Sequence, residues 1–150
     1  MAVTESGLFY DCWSKILNAT QLAFNPLSDV INCALFTNTI TPNFDTDIGY
    51  GAAPYNANEV AGAGYVAGGA AMSGVAISNS PTKTLKFTAA ATSWAGATIT
   101  NARCALLYDN TLAGKNAFAL INLGGDFSST AGTFTITWAA AGIFTVQMAV

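Results

Sequence analysis

The stretch Thr133-Phe134-Thr135-Ile136-Thr137-Trp138 alternates large apolar side chains with threonines. Successive side chains of a β-strand point to opposite faces, so the apolar residues would share one face and the threonines the other. The segment 143–150 repeats this alternation and groups its apolar residues in the same way: Phe144, Val146, Met148 and Val150. Because only residues 139–142 separate the two segments, the sequence predicts a β-hairpin at the carboxyl end.

Other runs of strand length precede this predicted hairpin. They cover residues 30–37, 72–78, 84–88, 97–108 and 117–123. The connections between them are rich in glycine, asparagine, serine and threonine, and no helical pattern recurs between strands, which favours antiparallel pairing over βαβ units. The sequence therefore predicts a mainly β protein, an antiparallel β-sandwich or a jelly-roll-like barrel.

One short helix is predicted near the amino end, within residues 7–22. Apolar residues recur there at spacings of three and four, and Asn25-Pro26 ends the pattern. With 150 residues the chain fits a single domain, 1–150. We expect it to consist of a helix or arm at 1–24, a β core formed by 29–36 with 71–150, and a long extended loop or arm at 37–70.

Aromatic residues suggest where this protein contacts other subunits. The segment 37–70 is weakly periodic and nearly uncharged, so we expect a projecting arm whose rings are covered by neighbouring subunits. The aromatic residues of the helix have a second interpretation, which is ordinary core packing. The candidate assembly contacts are Phe9, Tyr10, Trp13, Phe44, Tyr50, Tyr55 and Tyr65.

Charge is sparse in this chain and excludes several functions. Charged residues make up 9% of the sequence, with 5 basic and 8 acidic side chains. The basic residues are scattered, which argues against nucleic acid as a partner. A surface with so few charges must be largely neutral or covered by other subunits, and we expect assembly.

Histidine is absent, which removes Ser-His and Cys-His catalysis and the HExxH zinc motif. Cys12, Cys33 and Cys104 are odd in number and far apart, so they indicate buried free thiols rather than disulfides or a zinc site. Asp45 and Asp47 lack the pattern of a calcium loop and are interpreted as turn residues. We expect no enzymatic activity, no catalytic residues and no metal.

The uncharged run 60–77 has the length of a membrane span. Its residues are mostly glycine and alanine, which do not drive insertion, so no membrane span is predicted. Residues 62–67 formally match the dinucleotide fingerprint GxGxxA, but no buried strand precedes them and no helix follows. We therefore expect no cofactor.

A family resemblance rests on short motifs spread over nearly the whole chain. They are the helix opening at Gly7, TPNFDTD at 41–47, NEVAGAGY at 58–65 with Gly68-Gly69, Trp94 ahead of TITNAR at 98–103, LYD at 107–109, and SSTAGTFTI at 128–136 with Trp138. This pattern resembles small virion structural proteins of tailed bacteriophages.

The resemblance implies a non-enzymatic particle component made in the cytoplasm of a bacterial host. The low charge and β-rich build are most similar to a capsid decoration, or cement, protein that sits on the major capsid protein at the virion surface, often as a homotrimer. A tail, neck or fibre-associated protein with a host-surface role is the alternative, and a carbohydrate-binding β-module is a third. For a cement protein, we expect deletion of residues 1–20 or 40–69 to weaken capsid attachment while the sandwich stays folded.

Overall fold

The computed structural model describes residues 2–148 and is mainly β, with two antiparallel sheets and one short helix. The elements in chain order are β1 (Gly7–Leu8), α1 (Tyr10–Leu17), β2 (Ile31–Phe36), β3 (Ala70–Ala71), β4 (Ala76–Asn79), β5 (Thr84–Thr88), β6 (Thr92–Asp109), β7 (Ala117–Ile136) and β8 (Phe144–Gln147). The larger sheet has the strand order β1-β7-β6-β2-β3, and the smaller one has the order β4-β5-β8. The two sheets are not closed into a barrel.

The long hairpin of β6 and β7 forms the centre of the larger sheet. Residues 110–116 connect its two strands, and the pairing shifts register at several points between Trp94 and Tyr108. β2 pairs with β6 only over Cys104 to Asp109, and β1 pairs with β7 only at Ala119 and Leu120. The rest of the hairpin therefore extends beyond its neighbouring strands as a two-stranded ribbon.

Both faces of β2 are covered, which explains why this strand is apolar except at the half-buried Asn32. Cys33 and Leu35 pack on one side with side chains from the smaller sheet and the helix. Ala34 and Phe36 pack on the other side with residues from the amino-terminal segment and from the segment after β2. A strand covered on both faces has no solvent-facing positions, so it lacks the usual alternation of apolar and polar residues.

The predicted carboxyl-terminal hairpin is wrong. Phe134 and Ile136 belong to the end of β7 and pair with Trp94 and Thr92 of β6, whereas Phe144 belongs to β8 and pairs with Phe87 of β5. The two alternating segments thus lie in different sheets. The alternation itself is confirmed for the first segment, because Phe134 and Ile136 are buried while its threonines are exposed.

In the second segment, Phe144 and Val146 are half-buried as the alternation predicts. Met148 lies past the end of β8 and its side chain is exposed. Val150 lies outside the described residues, so its predicted place on that face stays a prediction.

The helix is shorter than the predicted 7–22 region. Its first residue is Tyr10, because Gly7 and Leu8 are extended and pair with β7. It ends at Leu17, since Asn18 is again extended. One ion pair between Lys15 and Asp11, with a nitrogen-to-oxygen distance of 2.9 Å, joins successive turns of this helix.

The segment 37–70 does not project as an arm. It folds back over the larger sheet, where Val60 N donates to Leu35 O at 2.9 Å and Thr98 N donates to Ala63 O at 2.7 Å. Ile40 is buried in the core of that sheet. The sequence prediction was wrong because weak periodicity marks the lack of regular strands, which is compatible with a loop that packs closely.

Candidate assembly surface

Six of the seven candidate contact residues face the interior of the protein. Phe9, Tyr55 and Tyr65 are buried, whereas Trp13, Phe44 and Tyr50 are half-buried; Tyr10 alone among the seven is exposed, with 66% of its surface accessible. The rings that the sequence analysis assigned to contacts with neighbouring subunits are therefore covered mainly by the chain itself.

Phe9 lies at the centre of one of these ring clusters. Its ring centroid is 5.3 Å from that of Phe44 and 5.8 Å from that of Tyr55, and the latter contact is edge-to-face. Phe36 of β2 makes a further edge-to-face contact with Tyr55, with centroids 5.4 Å apart. This cluster joins the amino-terminal segment to the segment 37–70 across the larger sheet.

Glu59 forms hydrogen bonds with two other candidate residues, Tyr50 and Tyr65. Its carboxylate accepts hydrogen bonds from the Tyr50 hydroxyl at 2.8 Å, the Tyr65 hydroxyl at 2.7 Å and the Gly68 amide at 2.7 Å. The Tyr50 ring also stacks on Tyr108 of β6, with centroids 4.7 Å apart. Burial, with these contacts to Glu59, raises the pKa values of Tyr50 and Tyr65 above the usual tyrosine range. The two phenols are therefore structural donors.

These contacts change the expectation about deletions. Residues 1–20 contain buried Val3, Phe9 and Cys12, and residues 40–69 contain buried Ile40 and Tyr55. Removing either segment would expose the core rather than leave it folded, so deletion cannot separate attachment from stability in this protein.

Large apolar side chains are exposed at other places on the surface. They are Tyr10, Leu17, Leu27, Val30, Ile48, Val66, Ile77, Phe127 and Met148. Except for Tyr10, none was a candidate at the sequence level, since each lies in a pattern that predicts a buried residue or an ordinary loop. Phe127 lies in the part of β7 that extends past β1. No described strand pairs with the outer edge of β7 there.

An apolar cavity of about 170 Å³ lies between the helix, the loop that follows it, the smaller sheet and β7. Five aromatic rings line it: Trp13, Phe24, Phe87, Phe118 and Phe144. The Trp13 Nε1 atom donates to Phe118 O at 3.0 Å, so the indole nitrogen is already paired. The other lining residues are aliphatic, and one of them, Ile77, is 40% exposed.

Further exposed apolar residues follow the lining residues in the sequence or line a neighbouring depression. Leu17 directly follows the lining residue Ile16, and Leu27 directly follows the lining residue Pro26. A shallow depression beside the cavity shares Ile77 and extends to Met148. Of the exposed large apolar residues, Ile77 is in the cavity wall and Met148 is in the adjoining depression. Leu17 and Leu27 each follow a lining residue in the sequence.

Two carboxylates from distant parts of the chain meet near the start of β2. Asp109, at the end of β6, is fully buried, and its Oδ1 accepts the amides of Thr111 at 2.8 Å and Leu112 at 3.3 Å. Its Oδ2 is buried and has no hydrogen-bond partner, and the carboxyl group of Asp29 lies close to that of Asp109. Burial and the contact with Asp29 raise the pKa of Asp109 to about 6. This pair is not predictable from the sequence, because no local motif links the two residues.

Among residues 2–148 there is no group of three or more cysteine, aspartate or glutamate side chains that could hold a metal ion. The three cysteines are free and buried. Within the same residues, no helix has the length and apolar character needed to cross a membrane.

No family model, curated protein or solved structure matches this chain.

Proposed function

We propose that this protein is a non-enzymatic structural component of a bacteriophage particle, and that it acts as a capsid decoration protein. The proposal rests on the sequence motifs that resemble small virion structural proteins. It is supported by two facts: charged residues make up only 9% of the chain, and nine large apolar side chains are exposed among residues 2–148. A surface of that kind is suited to permanent contact with other subunits.

The structural observation that most supports the proposal is the apolar cavity lined by five aromatic rings. Interfaces between subunits are anchored by buried apolar and aromatic groups at their centre. The cavity, with the exposed Ile77 in its wall, would provide such a centre. The smaller sheet faces the larger one through Phe87 and Phe118, whose centroids are 5.5 Å apart, and we infer a sandwich-like arrangement from this contact.

Decoration would work by mass action. A protein that binds the assembled lattice of the major capsid protein, but not the separated subunits, stabilises the assembled state. No proton transfer, cofactor or metal is required for this mechanism.

A tail, neck or fibre-associated protein remains the alternative, since an apolar contact surface serves either location equally. The carbohydrate-binding alternative is favoured less. Such a module needs a row of exposed aromatic rings, and the described residues expose Tyr10 and Phe127, which lie on different elements.

The test is the copy number of this chain relative to the major capsid protein in gradient-purified virions, measured by quantitative mass spectrometry. A ratio near one would support decoration of the capsid lattice. A ratio of a few per cent would place the protein at the tail or at a vertex. Its absence from virions would overturn the particle proposal.

A further inference from the structure

The two carboxylates near the start of β2 form a site that the proposed function does not use. Asp29 lies in the turn that precedes β2, and Asp109 is the last residue of β6. Their carboxyl groups lie close together, although the two residues are far apart in the sequence. The fold thus brings two acidic groups from distant segments to one point.

The Asp109 carboxylate has one oxygen that is held by the backbone and one that is unpartnered. Asp109 is fully buried, and its Oδ1 accepts the amides of Thr111 at 2.8 Å and Leu112 at 3.3 Å. Its Oδ2 is also buried and accepts no hydrogen bond. Buried charged groups are paired with an opposite charge or coordinate a metal ion, because an uncompensated charge in the interior is costly. The unpartnered Oδ2 therefore points to a ligand that supplies positive charge.

No basic side chain of the described residues compensates this pair of carboxylates. The two ion pairs among residues 2–148 use Asp11 and Asp126 as their acidic partners, so neither Asp29 nor Asp109 is in an ion pair there. A proton shared by the two carboxyl groups would still leave one negative charge on the pair. A divalent cation would neutralise both charges, which favours a metal ion over a proton as the ligand.

The two segments that carry the carboxylates are joined by hydrogen bonds. Asn110 N donates to Val30 O at 2.8 Å, and Val30 N donates to the Thr111 hydroxyl at 2.8 Å. Within the turn before β2, Asn25 N donates to Asp29 Oδ2 at 2.6 Å. Both carboxylates are thus held in position before a ligand binds, which lowers the entropic cost of binding.

The donor set and the partial exposure of this site favour calcium. Ca²⁺ accepts about six to eight oxygen ligands in flexible geometry, from carboxylates, carbonyls and water, whereas Mg²⁺ needs a near-ideal octahedron. Among residues 2–148 no third acidic or thiol side chain joins the two carboxylates, so backbone carbonyls and water would complete the shell. Asp29 is half-buried, which gives water access from its side. Two charged ligands predict weak binding, with a dissociation constant of about 1 mM.

We propose that Asp29 and Asp109 bind one Ca²⁺ ion, which links the turn before β2 to the end of β6. The ion stabilises the folded chain by mass action, because the two carboxylates come together only when the chain folds. This inference goes beyond the proposed function and does not depend on it, since it concerns the purified chain alone.

The test measures thermal unfolding of the purified chain at pH 7, in a chelator and in about 10 mM calcium chloride. We expect calcium to raise the midpoint by about 4 °C, the shift given by a tenfold excess of the ion over its dissociation constant. Asp109→Asn and Asp29→Asn each remove one charged ligand, and each should abolish the shift. Asparagine keeps an oxygen for the backbone amides that hold each carboxylate, so both variants should fold.

Asp45→Asn is the matched control. Asp45 is an exposed aspartate in the acidic segment that the sequence analysis compared with a calcium loop. The substitution removes the same charge as the two site variants, and we expect it to leave the calcium shift unchanged. Equilibrium dialysis with radioactive calcium is a second measurement that does not depend on stability. The wild type and Asp45→Asn should bind one ion per chain, and the two site variants should bind none.

A wild type without a calcium-dependent shift, or without a bound ion in dialysis, would overturn the inference and leave a shared proton as the link between the carboxyl groups. A shift that persists in Asp109→Asn or Asp29→Asn, or that disappears in Asp45→Asn, would place the ion elsewhere on the chain and would also overturn it. Neither result bears on decoration, which is tested separately by the copy number in virions.

Discussion

Glu59 holds Tyr65 against β2: its Oε1 accepts the Tyr65 hydroxyl at 2.7 Å, and the same hydroxyl accepts the Leu35 amide at 2.9 Å. The second carboxylate oxygen of Glu59 accepts the Tyr50 hydroxyl. The half-buried Glu59 therefore links two tyrosines of the segment 37–70, Tyr50 and Tyr65, beside the larger sheet. The loop is thereby kept against the sheet in spite of having almost no regular secondary structure.

Replacement of Glu59 by alanine should destabilise the protein by about 3 kcal/mol, because it leaves the buried Tyr65 hydroxyl and the Gly68 amide without their acceptor. Glu59→Gln is the matched control and should lose less, since its amide oxygen still accepts one bond. Urea unfolding of the two variants measures the difference. Equal stability of Glu59→Ala and wild type would contradict this role.

Stability should fall as the pH rises from about 4 to 7. The pKa of Asp109 is raised from 3.8 to about 6, so the folded state binds a proton that the unfolded state has already released in this range. The contribution of the Asp109 proton to the free energy of unfolding is complete below pH 3.8 and is lost as the pH passes 6. The total loss is about 3 kcal/mol. Urea midpoints measured across this range test the direction.

The groups facing Asp109 are the Asp29 carboxyl and the Cys12 thiol. Cys12 stays neutral in this range, because burial raises its pKa to about 12. Asp109→Asn keeps the acceptor for Thr111 and Leu112 and offers Asp29 a donor, so it should flatten the pH profile and stabilise the protein at pH 7. Parallel profiles for the variant and the wild type would refute the pairing.

Gly69 should tolerate no side chain. Its φ is +75°, and a Cβ there would overlap the carbonyl oxygen of Cys33 on β2. Gly124 has a similar φ of +81° but open space around it, which makes Gly124→Ala the matched control for the backbone cost alone. We expect Gly69→Ala to be less stable than Gly124→Ala by at least about 2 kcal/mol in chemical unfolding. Similar losses for both would show that the loop shifts to accept a methyl group.

The three thiols should be unreactive in the folded protein. All are buried, and burial raises the pKa of Cys12 and of Cys104 to about 12 and that of Cys33 higher still. Because the thiolate is the nucleophile, a thiol reagent at pH 8 should label none of them in buffer and all three in urea. Rapid labelling of one thiol in buffer would indicate an open route to the core.

Much of the strand content could be predicted from the sequence. β5 lies at the predicted residues 84–88, and β2 lies within the predicted 30–37. Both are local patterns, since alternation or a short apolar run depends only on neighbouring residues. The pairing of the last strands was mispredicted because adjacency in sequence favours a hairpin, whereas Phe144 gains more contact beside Phe87 in the other sheet.

Composition and local preference follow from the sequence alone: they give a β-rich chain, few charges, no histidine chemistry and one short helix. The tertiary structure alone decided which aromatic rings are exposed. Tyr55 and Phe127 both occur among small and polar residues, yet one is buried and the other is accessible. The physical reason is that burial depends on which distant segment packs over a residue, and that packing is a property of the whole fold.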